Sequence, residues 1–268
     1  MNYRHAYHAG NFADCFKHAL LVALIGAMQR KAKPYLFLDT HAGIGRYDVA
    51  APEAEKTGEW REGIGRMLAA NPPELAEYLA LVQRLGLYPG SPAIAAALAR
   101  PDDRVVACEL HPEDAALLKQ NLGRDAAVHA RDGYAALTAF LPPAEKRALV
   151  LIDPPFERPD EFDTLAANLT AAWRKFPTGV FAAWYPVKHR APVRVFFEAL
   201  RLAGLRDVLA AEFLRRPATD PARLNGSGLA IVNPPYRFAE TAAPILEALR
   251  RVLGEPGGST GIETIADE

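Results

Sequence analysis

The run Leu149-Val150-Leu151-Ile152-Asp153-Pro154-Pro155-Phe156 delivers a carboxylate at the end of an apolar segment, then turns through two prolines to an aromatic ring. Proline fixes φ and donates no backbone hydrogen bond. Carbonyl oxygens in such a turn therefore stay open beside the carboxylate. The set suits an exocyclic amine: Asp153 and the Pro154 carbonyl accept its hydrogens, while Phe156 stacks on the ring that bears it. Two further features suit a nucleoside ligand. Asp39-Thr40-His41-Ala42-Gly43-Ile44-Gly45 is a glycine turn in which Gly43 lets the backbone approach a ligand. Glu109, closing Val105–Leu110, can accept both hydroxyls of a ribose. Each has a plain alternative, an ordinary strand-to-helix turn and an acid capping the helix that follows. The third glycine of a dinucleotide fingerprint is missing, with Asp48 in its place, which weighs against a nicotinamide dehydrogenase. A second run, Leu229 to Tyr236, repeats the form as Asn233-Pro-Pro-Tyr.

These groups need strands whose ends converge. Seven strands are predicted: 35–39, 104–110, 127–131, 148–152, 180–185, 207–213 and 229–232. The first is nearly all apolar, as in a strand buried on both faces. Helical patterns fall at 14–31, 112–122, 134–141, 160–175, 192–203 and 241–253, and Ser91-Pro92 opens another as N-cap and first residue. Alternation of this kind implies an α/β fold with a mostly parallel sheet and helices on both faces. The last two strands lack a helix between them, so the last is expected to run antiparallel. Asp153 then ends a parallel strand at the edge where such sheets hold ligands, and Asn233 falls at the opposite edge. Residues 46–90, with four prolines and two helical patterns, read as a helical subdomain inserted into a single domain spanning 1–268. Residues 254–268 read as a flexible tail.

The chain is about half hydrophobic, with 31 Lys+Arg against 32 Asp+Glu, which excludes a disordered or fibrous protein. The longest apolar run, Ala19–Met28, is shorter than the roughly 18 residues of a spanning helix, so no membrane partner is expected. Two cysteines offer no disulfide framework, in keeping with a reduced, cytoplasmic location. His5, His8, His18 and His41 fit no metal-ligand spacing, and no metal is expected.

Further segments extend the pattern: Tyr3-Arg-His-Ala-Tyr-His-Ala-Gly-Asn11, Lys17-His18, Thr57-Gly-Glu59, Tyr88-Pro-Gly-Ser-Pro92, Glu109-Leu-His-Pro112, Asp132-Gly133 and Trp184-Tyr-Pro186. With Asp153-Pro-Pro-Phe156 and the glycine turn, the chain resembles, nearly end to end, the RlmJ family of 23S ribosomal RNA adenine-N6 methyltransferases. The resemblance implies a Rossmann-like class I methyltransferase fold and S-adenosylmethionine as cofactor. It implies that His18, His41, Ser91, Glu109, Asp132 and Gly133 bind that cofactor, that Asp153 is the catalytic acceptor, and that Tyr3 touches the RNA. Phe156 stands where many amino-methyltransferases carry tyrosine; stacking survives this change, a phenol hydrogen bond does not. The motif does not exclude guanine N2, cytosine N4, a DNA adenine or a protein glutamine as the target, and a non-catalytic RNA-binding module is the reading from another class. A monomer is expected.

The near-neutral total hides basic segments. Residues 1–33 carry Arg4, Lys17, Arg30, Lys31 and Lys33 against Asp14 alone. Together with the resemblance, this marks Arg4 and Lys17 as RNA contacts beside Tyr3. Residues 187–223 carry eight Lys/Arg against four acids, either a second patch or a solvated face.

Overall fold

The computed structural model describes residues 5–267. Tyr3 and Arg4 lie outside them. Ten strands form in chain order: β1 (Leu36–Asp39), β2 (Arg46–Tyr47), β3 (Tyr88–Pro89), β4 (Arg104–Glu109), β5 (Ala127–Ala130), β6 (Ala148–Ile152), β7 (Val180–Val187), β8 (Val208–Leu214), β9 (Gly226–Val232) and β10 (Ser259–Ala266). The helices are α1 (Phe12–Gln29), α2 (Pro52–Thr57), α3 (Ile64–Ala70), α4 (Ala76–Leu85), α5 (Ser91–Leu98), α6 (Pro112–Leu122), α7 (Gly133–Phe140), α8 (Glu161–Lys175), α9 (Arg190–Leu202) and α10 (Phe238–Leu253).

One sheet has eight strands in the order β10-β8-β9-β7-β6-β1-β4-β5, and β2 and β3 make a separate ribbon. The pairs β7/β6, β6/β1, β1/β4 and β4/β5 are parallel. β9 runs antiparallel between β7 and β8. The buried strands β1 and β6 are apolar apart from Asp39, as the sequence suggested. One face carries α1, α5 and α10, and the other α7, α8 and α9, each with its own apolar core.

The sheet has eight strands, where the sequence reading expected seven, because the segment read as a flexible tail contains β10 on the outer side of β8. Its glycines and acids conceal a strand. Ile262 and Ile265 stand an odd number of residues apart and pack on the two opposite cores.

Asn11 caps α1: its side-chain oxygen accepts from Ala13 N at 2.9 Å and Asp14 N at 3.0 Å. The helix stops at Gln29, so Arg30, Lys31 and Lys33 fall in the turn that enters β1, not in a last helical turn. By length and composition α1 meets the test for a membrane-crossing helix, which counting the Ala19–Met28 run missed, yet most of it is buried against the sheet. α5 begins one residue before the expected point, with Gly90 as its N-cap and Ser91 inside the first turn.

Candidate active site

The C-terminal ends of β1, β4, β5, β6 and β7 open into one cleft of 1560 Å³, lined by His18, His41, Gly43, Ser91, Glu109, Asp132, Gly133, Asp153, Pro154 and Phe156. Parallel strands explain the convergence, since every strand after its crossover ends at the same edge. Asn233 is at the other edge. β9 runs backwards, so Val232 pairs with Phe181 near the start of β7, and the Asn233 amide donates to the carbonyls of Pro177 (2.8 Å) and Gly179 (2.6 Å).

Glu109 holds the glycine turn directly. Its Oε2 accepts from Gly43 N at 2.9 Å and its Oε1 from His111 N at 2.9 Å. Each oxygen keeps a second lone pair for a hydroxyl ligand. Gly43 has φ +59°, the left-handed region that glycine enters without strain. Asp132 caps α7 through Ala135 N at 2.8 Å, so the turn-forming role is real and its other oxygen is left for a ligand. A Cβ on Gly133 would stand 2.2 Å from the Thr40 carbonyl oxygen and 2.8 Å from the His41 ring, so only glycine fits between them.

Of the histidines that line the cleft, the buried His18 and His41 are neutral near pH 7. Burial pushes His18 down to about 3 and His41 down to about 4. His18 is therefore no surface histidine; its Nδ1 meets the Tyr88 hydroxyl at 2.9 Å. The His41 ring is held through one nitrogen. The Thr40 hydroxyl meets His41 Nδ1 at 2.7 Å and the Leu151 carbonyl at 3.1 Å. Nε2 is left facing the Asp132–Gly133 turn, 2.8 Å from where a Cβ on Gly133 would stand.

Asp153 ends β6 with Oδ2 2.5 Å from Lys17 Nζ. Lys17 also reaches Asp14 Oδ1 at 3.1 Å. This corrects the reading of Lys17 as an RNA contact: it is 6% exposed and its charge is spent between two carboxylates. A lysine three residues beyond an acid on α1 gave the signal for the Asp14 pair, whereas the partner from β6 could not be foreseen. Burial lowers the Lys17 pKa, but Asp153 and Asp14 outweigh it and hold the ammonium charged well above the ordinary lysine range. Burial raises Asp14, and His5 and Lys17 outweigh it, so the carboxylate stays ionised. Asp14 Oδ2 in turn accepts from His5 at 2.9 Å and Gly10 N at 3.0 Å.

Asp39 is fully buried, next to Ser91 and Asp153. Burial raises its pKa to about 7; the Ser91 hydroxyl opposes this, and neighbouring Asp153 adds to it. The wall beyond Asp153 is aromatic. Phe156 has φ +50°, an uncommon conformation for an aromatic residue, and meets Phe162 (4.8 Å) and Trp184 (5.8 Å) edge-on. Trp184 joins this wall from β7, and Tyr134 lines the cleft while donating to Glu161 Oε1 at 2.7 Å. Sequence reasoning gave Asp14, Asp39, Tyr134 and Glu161 no role at the site.

Of the basic N-terminal segment, Lys17 is buried, and Arg30, Lys31 and Lys33 precede β1 at the edge opposite the cleft. The cluster seen in sequence is not one surface.

Residues 32–266 match the family model described as "Ribosomal RNA large subunit methyltransferase D, RlmJ". The chain is 38% identical to "Ribosomal RNA large subunit methyltransferase J" of Haemophilus influenzae over 100% of both chains. It is 37% identical to the protein of that name from Escherichia coli over 99% of this chain and 98% of the relative. A crystal structure of a Legionella pneumophila protein matches with a TM-score of 0.88 at 34% identity, covering 96% of this chain and 98% of that one. A structure described as "a probable spermidine synthase" from Corynebacterium glutamicum, 11% identical with a TM-score of 0.52 over 91% of this chain and 74% of that one, shares the fold alone.

Proposed function

Because the chain belongs to the RlmJ family of large-subunit ribosomal RNA methyltransferases, we propose that it methylates N6 of one adenine in 23S ribosomal RNA. The observation that carries this reading is Asp153, held at the end of β6 by Lys17 through one oxygen, in a cleft shared with Glu109, His41 and the Asp132-Gly133 turn. S-adenosylmethionine supplies an activated methyl group on a sulfonium when bound. The donor set fits it. Glu109 suits the ribose hydroxyls, and Asp132 with the backbone at Gly133 suits the cofactor's adenine. His18, His41 and Ser91, with the Gly43 turn, line the remainder of the pocket.

The chain's own groups then orient and polarise the target. The base leaves its stack to reach a site of this depth. Phe156 packs on its face. Asp153 Oδ1 and the Pro154 carbonyl accept the two N6 hydrogens, which turns the lone pair towards the methyl donor. Positive charge builds on N6 during transfer, and a carboxylate beside it stabilises the transition state more than the ground state. Lys17 holds Asp153 in place through Oδ2 while leaving Oδ1 to the base. Tyr3 and Arg4, outside the described residues, are the proposed N-terminal RNA contacts. All these groups come from one chain, so one copy suffices, and a cytoplasmic location belongs to the same reading.

Comparing modified nucleosides in ribosomal RNA from cells with and without this protein tests the proposal. Loss of one N6-methyladenosine from 23S RNA is the expected result. Loss of N2-methylguanosine or N4-methylcytidine instead, or a change only in DNA, would move the activity to another amine. No change in any methylated nucleoside, with cofactor still bound, would leave a binding module.

A further inference from the structure

The eight cations of residues 187–223 divide sharply once their partners are visible. Arg190 is tied to Glu212, Arg201 to Glu198 and Glu263, Arg215 to Glu62 and Glu255, and Arg216 to Glu255. Lys188, Arg194, Arg206 and Arg223 are exposed and form no ion pair among the described residues, although Arg223 exerts a longer-range pull on Glu255. Of these four, only Lys188 and Arg223 line the catalytic cleft.

Their placement is built. Lys188 follows β7 directly, beyond Trp184 and Pro186 of the cleft wall, and Arg223 sits in the β8–β9 loop. Asn225, fully buried, ties the two segments together. Its amide donates to the Lys188 carbonyl at 2.8 Å and the Asp220 carbonyl at 2.7 Å, and its backbone N–H donates to Val187 O at 3.0 Å. Arg216 holds the same loop by donating to Leu224 O at 3.1 Å. Two exposed side chains thus leave one hydrogen-bonded rim, on the side of the cleft that carries Phe156 and Trp184 rather than Glu109.

We propose that Lys188 and Arg223 form a phosphate clamp for the single-stranded RNA flanking the flipped adenosine. The inference rests on the RNA reading above and adds which surface grips the strand. A base drawn into the cleft pulls its two phosphates to the rim. Unpaired cations there gain from each phosphate by releasing counterions, whereas cations already paired with carboxylates gain little. An acidic protein partner is the less favoured occupant, since the rim adjoins the reacting centre itself.

The test is filter binding of protein-free 23S ribosomal RNA between 50 and 300 mM salt, with KM and kcat measured alongside. At about 0.7 per phosphate on a single strand, losing two contacts reduces the salt slope of log K by about 1.4 and raises the RNA Kd and KM about tenfold near 0.15 M salt. K188A/R223A should show this with kcat and cofactor affinity unchanged, and K188R/R223K should restore most of it. R194A/R206A removes the same charge away from the cleft and should bind as wild type. An unchanged slope in K188A/R223A, or an equal loss in R194A/R206A, overturns the clamp. The binding readout does not depend on turnover: failure of the wild type to methylate counts against the proposed activity, and a wild-type slope in an active variant counts against the clamp alone.

Discussion

Replacing Asp153 separates the charge of the carboxylate from its shape. A unit charge 4 Å from another interacts by about 4 kcal/mol at an effective dielectric of 20. With about half a charge on N6 at the transition state, the carboxylate contributes about 2 kcal/mol; Lys17, 2.5 Å from Oδ2, makes this a ceiling. Losing the hydrogen bond that Oδ1 accepts removes a further amount of about 2 kcal/mol. Asp153→Asn keeps an acceptor oxygen and should slow methyl transfer about 30-fold, whereas Asp153→Ala loses both contributions and should slow it about a thousandfold. Lys17 keeps Asp14 at 3.1 Å in either variant, so the buried ammonium is not stranded and the fold survives. Single-turnover transfer of labelled methyl to RNA measures the rate, and calorimetry with S-adenosylhomocysteine measures cofactor affinity, expected within threefold of wild type. An Asn variant retaining more than a third of the wild-type rate would refute the electrostatic argument. So would rate losses that simply track loss of cofactor binding.

Other consequences are equally direct. Asn233→Ala loses hydrogen bonds to Pro177 and Gly179 and puts alanine at φ +52°, so stability should fall by about 1–3 kcal/mol in denaturant melts while kcat stays at the wild-type value. Asp39, raised by burial to about 7 from the ordinary 3.8, contributes stability that is present below about pH 4 and lost as pH rises to 7. The melting temperature of Asp39→Asn relative to wild type should therefore climb between pH 4 and 7 and level off above, with a ceiling on the order of 4 kcal/mol; a pH-independent difference would contradict the burial argument. Truncation after Leu253 strips β10 from β8 and takes Glu255 from Arg215 and Arg216, so calorimetry should show a lower melting temperature and light scattering should show association through the bared edge. A truncated chain as stable as the whole would mean that β10 contributes nothing to the fold.

Much of the site was legible because its chemistry is written in short runs. Asp153-Pro-Pro-Phe156, Glu109 and the His41–Gly45 turn each sit at the end of an apolar strand, and strand-helix alternation tells which ends converge. The same logic separated Asn233 from Asp153, since a strand without a preceding helix must reverse. Burial was harder to read. Lys17 and His18 follow one another on a helix in a polar-looking segment, and nothing local says that the helix is enclosed on that side. β10 escaped because it pairs only as an edge strand, where short alternation and glycine-rich flanks resemble a tail.

Residue type and periodicity settled what lies close in the chain: the α/β class, the strand ends that carry acids, the reversal of the last core strands and the Asp-Pro-Pro-Phe turn. Tertiary structure decided how charges are used. Lys17 and Asp153 are 136 positions apart, yet their contact ties a lysine that the sequence placed on an RNA surface to the carboxylate at the end of β6. Long-range pairing likewise sorted the eight cations of 187–223 into tied and untied, leaving two at the cleft. The physical reason is that a charge's role depends on what shares its low-dielectric surroundings, and those neighbours come from distant strands and loops that only the folded chain brings together.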